Sequence, residues 1–346
     1  VGSLGTSQMG AISVVYPLGQ VVVGLGLLFG NGSASYLSRL LGKGDKEKAN
    51  QVASTALYSS ITVGAIMIIL SIIFLRPILK FLGATDSIMP YAITYASIYI
   101  ISCIFNVFNV TMNNIVTSEG AAKTTMCALM TGAILNIGLD PVFIYILNMG
   151  VAGAAIATAI SQIVSTLVYL TFILRKKSTY HFRIRNFSFT KDIMSEIFKI
   201  GIPTLVFQIL TSLSISFVNT KSMVYGDSVI AGMGAVTRIV SMGSLMVFGF
   251  IKGFQPIAGY SYGAKKFYRL QEAIKTSILW STIFCVIYGL ILAIFSKGII
   301  SQFTKMDLDM IRVGTQSLRI NGFSFMLFGF YTVYSSLLLA LGKGLA

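Results

Sequence analysis

Charge is scarce in this chain, and acid scarcest of all. Of 346 residues only 11 are Asp or Glu, against 26 Lys or Arg, and charged residues together make up 11%. A soluble domain usually carries about 25%, so the chain has too little polar material to clothe a water-facing surface. Cysteine is limited to Cys103, Cys127 and Cys285, an odd set inside apolar runs and expected to be buried, which argues against a disulfide framework. With His181 the one histidine, no Cys/His spacing suggests a zinc site. No segment alternates polar and apolar residues over about ten positions, as a membrane β-strand does. The N-terminal apolar run also lacks the basic head and small-residue cleavage site of a secretory signal.

Long uncharged runs are what the sequence has in abundance. Hydrophobic residues make up 55%, mean hydropathy is +0.82, and Val52–Leu75 contains no charge. A bilayer core takes roughly 20 apolar residues per helix. Nine spans meet that length, near 11–38, 51–75, 91–117, 124–147, 150–174, 200–220, 229–251, 272–296 and 313–340. The chain therefore reads as an all-α polytopic membrane protein.

Net charge is +15, and its distribution sets orientation rather than pointing to nucleic acid. One set of alternate loops holds eighteen basic residues, including Arg39, Lys43, Arg175–Lys177, Arg183, Arg185, Lys252, Lys265 and Lys266. The other set holds seven, and Arg238 alone falls well inside a span. The richer loops are cytoplasmic by the positive-inside bias. Glu119 and Lys123, four apart at a helix end, are expected to form a surface pair, and His181 to be solvated in the basic loop.

An internal repeat runs through the chain. Gly5 and Gly226, Phe29 and Phe250, Gly32 and Gly253, Gly42 and Gly263, Thr55 and Thr276, Phe74 and Phe295, Asp86 and Asp307, and Thr111 and Thr332 are all 221 residues apart. One offset that keeps loop glycines and span ends in register implies two halves. Continued in both directions, it predicts twelve spans in two lobes of six, of which this chain would be a fragment lacking the first and the last two. The expected division is an N-lobe over 1–176, a cytoplasmic basic linker over 177–199 and a C-lobe over 200–346. With an even number of spans each, the lobes share orientation, and parallel repeats of this kind mark transporters whose substrate sits at the repeat interface.

Asp140 is the one acid the sequence places within a span. A carboxylate at the bilayer centre costs at least about 2.5 kcal/mol, so a functional role is the default reading. Asn136 lies one turn earlier on the same face, and Pro141 removes a helix hydrogen bond immediately afterwards. The chain turns around near Asn148–Gly150, which puts Thr158 at about the depth of Asp140. Asn136, Asp140 and Thr158 thus offer amide, carboxylate and hydroxyl oxygens to Na⁺, or a carboxyl group to H⁺. The competing reading is a helix-packing network. Phe105, Asn109, Met112, Asn113 and Gln255 are candidates to line a cavity for flat cations. Gln208 and Arg238 are further candidates for that cavity; Arg238 is expected to pair with a carboxylate on a missing helix, to gate the outer path or to snorkel to the interface. Gly253 and Gln255–Pro256 are expected to break the end of the seventh span.

Three segments carry a family resemblance: GLGLLFGNGSASYLSRLLGKGDKEKA at 24–49, LNIGLDPVFI at 135–144 with MGVAGAAIATAISQ at 149–162, and KGFQPIAGYSYGAKKFYRL at 252–270. Together they resemble the multidrug and toxic compound extrusion (MATE) family, in its branch of bacterial exporters, and the likeness covers essentially the whole chain. It implies two pseudo-symmetric six-helix lobes around a central cavity, in the bacterial cytoplasmic membrane. It also implies a monomer with no cofactor that exports cationic, lipophilic small molecules in exchange for H⁺ or Na⁺ by alternating access. Asn136, Asp140 and Thr158 match the family's N-lobe cation site. That site also uses an aspartate on the first helix, which the chain lacks, so the chain as given is not expected to transport. Gln208 stands where other branches carry a glutamate on the seventh helix. Flippases of lipid-linked saccharides share the two-lobed plan but have strongly cationic cavities, whereas Arg238 is the one basic residue read inside a span. No converging catalytic set marks an enzyme, and the unlike halves do not suit the symmetric rings of a channel.

Overall fold

A computed structural model describes residues 6–86, 88–223, 227–302 and 308–344. Gly5, Gly226, Lys305 and Asp307 lie outside the described residues. The elements are all helical: α1 (Thr6–Lys43), α2 (Lys46–Ile73), the short α3 (Leu75–Phe81), α4 (Met89–Ser118), α5 (Ala122–Pro141), α6 (Gly150–Leu174), α7 (Lys191–Met223), α8 (Asp227–Gly263), α9 (Phe267–Ile294), the short α10 (Ser296–Ile300), α11 (Leu308–Phe325) and α12 (Phe328–Ala340). Among the described residues eight are long and apolar enough to cross a bilayer, and α11 with α12, bent by 49°, passes the same test only when the two are taken together. The fold is all-α and polytopic, as the uncharged runs require.

Three expectations need correction. The span read as 313–340 is broken at Met326 and Leu327, which bond back three residues to Phe323 and Ser324. No proline or glycine announces the bend; it lets the Phe325 and Phe328 rings stack at 5.2 Å. The Gln255–Pro256 pair does not end its helix, because α8 continues through Pro256 to Gly263, and membrane helices tolerate proline where neighbours satisfy the freed carbonyl. Lys252 consequently lies inside α8 rather than in a loop, so Arg238 is not alone among basic residues within spans. Finally, Cys127 is exposed on α5, although Cys103 and Cys285 are buried.

The repeat is visible in the element boundaries. The pairs Lys46 and Phe267, Ile73 and Ile294, and Leu75 and Ser296 start or end equivalent helices, each 221 residues apart. The turn after α1 has Gly44 at φ +80°, with bonds from its N–H to Leu41 and from Asp45 to Leu40. The turn after α8 repeats it with Lys265 at φ +56°, bonding Tyr262, and Lys266 bonding Ser261. This is the αL helix stop that glycine favours, and at Lys265 a side chain bears it.

Two compact units divide inside α7, one ending at Ile209 and the other running from Leu210 to Gly344. In the first, α1 is the central helix, packed along α4 and against α2, while α4 and α5 both pack on α6. One core cluster joins Phe29, Leu37 and Leu40 of α1 to Val52 of α2, Ile115 of α4 and Ile197 of α7. Close approach there depends on Gly32 and Gly201: a Cβ on Gly32 would strike the Ile197 carbonyl oxygen, and one on Gly201 that of Leu28. Small residues of this kind let membrane helices touch backbone to backbone. In the second unit, α8, α9, α11 and α12 pack around Phe254, Cys285, Phe325 and Val333.

The residues between α6 and α7 form a strap laid on the first unit. Tyr180 is 2% exposed and joins the α1–α2 core, while its hydroxyl meets that of Ser118 at 3.1 Å. The His181 N–H donates to Asn50 Oδ1 at 2.8 Å and the Ser54 hydroxyl donates to the His181 carbonyl; the His181 side chain itself is exposed.

The αL turn predicts a stability difference between the halves. Lys265→Gly should raise stability by about 0.5–1 kcal/mol, and Gly44→Ala should lower it by at least as much, read as midpoints of thermal unfolding in detergent. No change from either substitution would mean that these turns do not constrain the helix ends.

Candidate functional site

The candidate cation site is built where α5 loses its α-helical bonding. Pro141 ends α5, and the chain continues through a π-helical turn, Val142–Ile146, closed by the Leu147 N–H on the Val142 carbonyl at 2.9 Å. It then reverses through Asn148 (φ +51°) and Gly150 (φ +55°). Such single π turns are frequent at functional sites. Asp140 and Asn136 are half-buried, with Asn136 Nδ2 3.5 Å from Asp140 Oδ1.

The α5–α6 hairpin sets the depth of Thr158. Near the turn, a Cβ on Gly153 would lie 2.7 Å from the Phe143 carbonyl oxygen; farther in, the Ser165 hydroxyl donates to the Ala128 carbonyl at 3.0 Å. Thr158 therefore stands level with the 136–140 turn. Its hydroxyl donates to Ala154 of its own helix at 3.0 Å, an arrangement that keeps the oxygen lone pairs for a cation. The donor set, one carboxylate, one amide and one hydroxyl, is the oxygen-only chemistry that hard cations take. Among the described residues no group of three or more His, Cys, Asp or Glu could hold a metal ion.

Tyr95 is a neighbour that the sequence reading missed. It lies within electrostatic range of Asp140 and stacks on Tyr99 one turn later, rings 5.7 Å apart. The i, i+4 tyrosine pair was the available signal, but which helix it faces depends on packing.

The other candidates of the first unit are engaged in helix packing. Asn109 clamps α4 to α6: its Nδ2 donates to the Gln162 backbone carbonyl and Oε1, both at 2.8 Å, and its Oδ1 accepts from Thr166 at 2.9 Å. Asn113 Nδ2 donates to the Tyr169 hydroxyl at 3.3 Å. Met112 is fully buried in a cluster with Leu57, Phe108 and Tyr169, and Phe105 is half-buried. In α8, Gln255 is half-buried and Arg238 exposed.

Gln208 belongs to a polar seam between α1 and α7, with its Nε2 donating to Gln20 Oε1 at 2.6 Å. Asn31 Nδ2 donates to Thr204 Oγ1 at 3.1 Å. At the end of the seam Arg39 Nη2 meets Glu196 Oε2 at 2.8 Å, with side chains 15% and 22% exposed, and Lys199 meets the other carboxylate oxygen at 2.8 Å. Tyr36 lies under the guanidinium, 5.3 Å away. Glu196 was expected in the linker; α7 starts at Lys191 and carries it as a helical residue. Glu119 is also corrected. Rather than pairing with Lys123, it accepts from the Ser178 hydroxyl at 3.0 Å and from the Thr179 N–H at 2.6 Å.

Eight spans with a bent ninth, a repeat in register and a carboxylate held within a span define a polytopic membrane protein of the two-repeat transporter class. Within that class the chain belongs to the MatE family, whose defining pattern matches residues 1–142 and 203–346. It is 31% identical over 347 residues to the multidrug export protein MepA of Staphylococcus saprophyticus, covering 99% of this chain and 76% of that protein. The crystal structure of a MATE protein in the straight conformation superposes with TM-score 0.93 at 26% identity, covering 99% of this chain and 77% of the other. An outward-facing multidrug resistance MATE transporter of the MOP superfamily gives 0.90 at 26%, covering 99% and 76%.

Two consequences can be measured. Arg39→Glu or Glu196→Arg alone leaves an unpaired charge and should destabilise by about 1–3 kcal/mol, whereas the double exchange should recover at least half. Equal loss in all three proteins would show that the pair contributes nothing. Burial also holds the Glu119 carboxyl above its ordinary 4.5, against the opposing pull of its hydrogen bonds from Thr179 and Ser178. The folded protein then binds this proton more tightly than the unfolded chain does. The contribution is fully present below 4.5 and is lost as pH rises through the raised value. Glu119→Gln should flatten that part of the profile of unfolding midpoint against pH.

Proposed function

We propose that the protein is a secondary antiporter that exports cationic, lipophilic compounds in exchange for H⁺ or Na⁺. The observation that supports this best is the Asp140–Asn136 pair at the break in α5, a carboxylate at membrane depth with a single amide as its hydrogen-bond partner. In this reading the lobes are 1–176 and 200–346, and the coupling cation binds Asp140, Asn136 and Thr158. Tyr95 supplies a further polar group beside them. Binding of H⁺ or Na⁺ neutralises the carboxylate and favours release of the cationic drug to the outside, and loss of the ion on the cytoplasmic side restores affinity. The membrane potential drives inward ion movement with about 2.3 kcal/mol per charge per 100 mV. Alternating access needs a seam that closes and reopens; the polar α1–α7 contacts suit that role, because hydrogen bonds and an ion pair can exchange for water as the helices part. The protein acts as a monomer in the bacterial cytoplasmic membrane.

Flippase activity on lipid-linked saccharides is the second reading, and the position of Lys252 inside α8 is what favours it. A pyrophosphate-binding cavity would gather more cations than Lys252 and Arg238.

Efflux of a fluorescent lipophilic cation from vesicles of cells expressing the protein from its own gene tests the first reading, with H⁺ and Na⁺ gradients imposed separately. Asp140→Asn should abolish gradient-driven efflux, a loss of more than about tenfold, with expression unchanged. Efflux indifferent to both gradients, or to the substitution, would overturn the coupling assignment.

A further inference from the structure

The strap between α6 and α7 has two features that transport does not use. With Lys191, which opens α7, it carries six basic residues and no acid. The two ion pairs found among the described residues, both to Glu196, involve none of the six. It also presents large apolar side chains outward, with Ile184 79% and Phe189 70% exposed. Positive-inside bias accounts for the charge but not for the exposed rings.

Depth distinguishes a water-facing loop from a lipid-facing one. The strap is pinned to α2 at three levels. His181 bonds Asn50, Ser188 and Thr55 exchange two bonds of 3.0 and 3.2 Å, and the Phe187 ring meets Tyr58 edge-on at 6.5 Å. Phe189 stacks on Phe187 at 6.4 Å. Counted from Lys46 at 1.5 Å per residue, these levels lie about 6, 14 and 18 Å along α2. The 28 residues of α2 extend about 42 Å, more than the ~30 Å hydrocarbon core, and Lys48 is its last charge. By this count Phe187, with Phe189 stacked on it, lies beside the part of α2 that enters the apolar layer, and the basic residues flank these rings along the strap. Aromatic rings beside lysine and arginine are the usual composition of that boundary.

We propose that this strap binds the anionic phospholipid headgroups of the cytoplasmic leaflet. Lys176, Lys177, Arg183 and Arg185 engage the phosphates, and Phe189 and Ile184 enter the acyl boundary. Such a contact fixes the strap, and through Tyr180 and Ser188 the α1–α2 end of the bundle, to the membrane surface.

A tryptophan reporter tests it. Phe189→Trp in a Trp280→Phe background is reconstituted in phosphatidylcholine vesicles containing brominated phosphatidylglycerol or, at the same fraction, brominated phosphatidylcholine. Phosphatidylglycerol should quench at least about threefold more strongly. With Lys176, Lys177, Arg183 and Arg185 all changed to Gln, quenching by the two lipids should become equal but persist. Absence of quenching by either lipid in the parent reporter would place the strap in water and overturn the proposal, whether or not the neutralised variant folds. Equal quenching in the parent, or a preference that survives neutralisation, would do the same. Loss of the preference on adding inorganic phosphate, but not chloride of equal ionic strength, would indicate a free-anion site instead.

Discussion

Within a bilayer no water is at hand to take up an unmatched hydrogen bond, so every polar group in a span needs a partner in the protein. Much of this fold follows from that constraint. Many buried serines and threonines return their hydroxyl to a carbonyl three or four residues back, as Ser38, Ser60 and Ser161 do, and so cross the membrane without disturbing their helix. Longer polar side chains find partners on neighbouring helices. Asn109 uses both ends of its amide to hold α6, and Asn31 and Gln208 hold α1 to α7. Among the described residues seven buried side-chain oxygens, those of Ser59 and Asn106 among them, have no hydrogen-bond partner; Asp140 differs from these in being a carboxylate. It carries the strongest demand for a partner and meets it with one amide at 3.5 Å, beside a stretch where the helix itself has changed its bonding. A group so lightly satisfied is available to an ion or a proton in a way that Asn109 is not.

The two halves share a backbone plan but not a chemistry. Helix limits and the stop after the first long helix recur at one offset, while the side chains at equivalent places differ in kind. Asn109 and Asn113, which bond α6, correspond to Phe330 and Tyr334, whose rings lie 4.7 Å apart. Asn31 in the α1–α7 seam corresponds to Lys252, and Gly44 to Lys265. The helix limits recur although the close-approach glycines do not: Gly26 and Gly30 correspond to Val247 and Ile251, and a Cβ on Gly253, the counterpart of Gly32, would meet nothing within 4 Å. Polar side chains answer to their particular neighbours, and those have diverged.

Much of the architecture was legible in the residues. Apolar runs longer than a bilayer needs have few alternatives to crossing it, and the repeat survived because it is written in turn glycines and span ends. Asp140, Asn136 and Pro141 announced themselves for the same reason, since an acid and a proline inside such a run are exceptional. The misplacements share a cause. Glu196 and Lys252 are assigned by distance from the nearest apolar run, yet α7 starts before its apolar run and α8 continues beyond a proline; Glu119 sits at its helix end as expected and differs only in its partner. Tyr95 was overlooked because tyrosine is common in this chain and its register against α5 is not a local property.

The sequence by itself determined that the chain is helical, crosses the membrane repeatedly, is built from two related halves and carries one acid in its apolar interior. Each of these rests on hydropathy or spacing along a single segment. Only the tertiary structure decided that Arg39 pairs with Glu196, that Glu119 secures the strap, that Asn109 clamps α6 and that the last span bends. Those outcomes depend on how two helices are rotated and staggered against each other. A shift of one residue turns a side chain by about 100° around the helix axis, and spacing within one helix carries no record of the other's register.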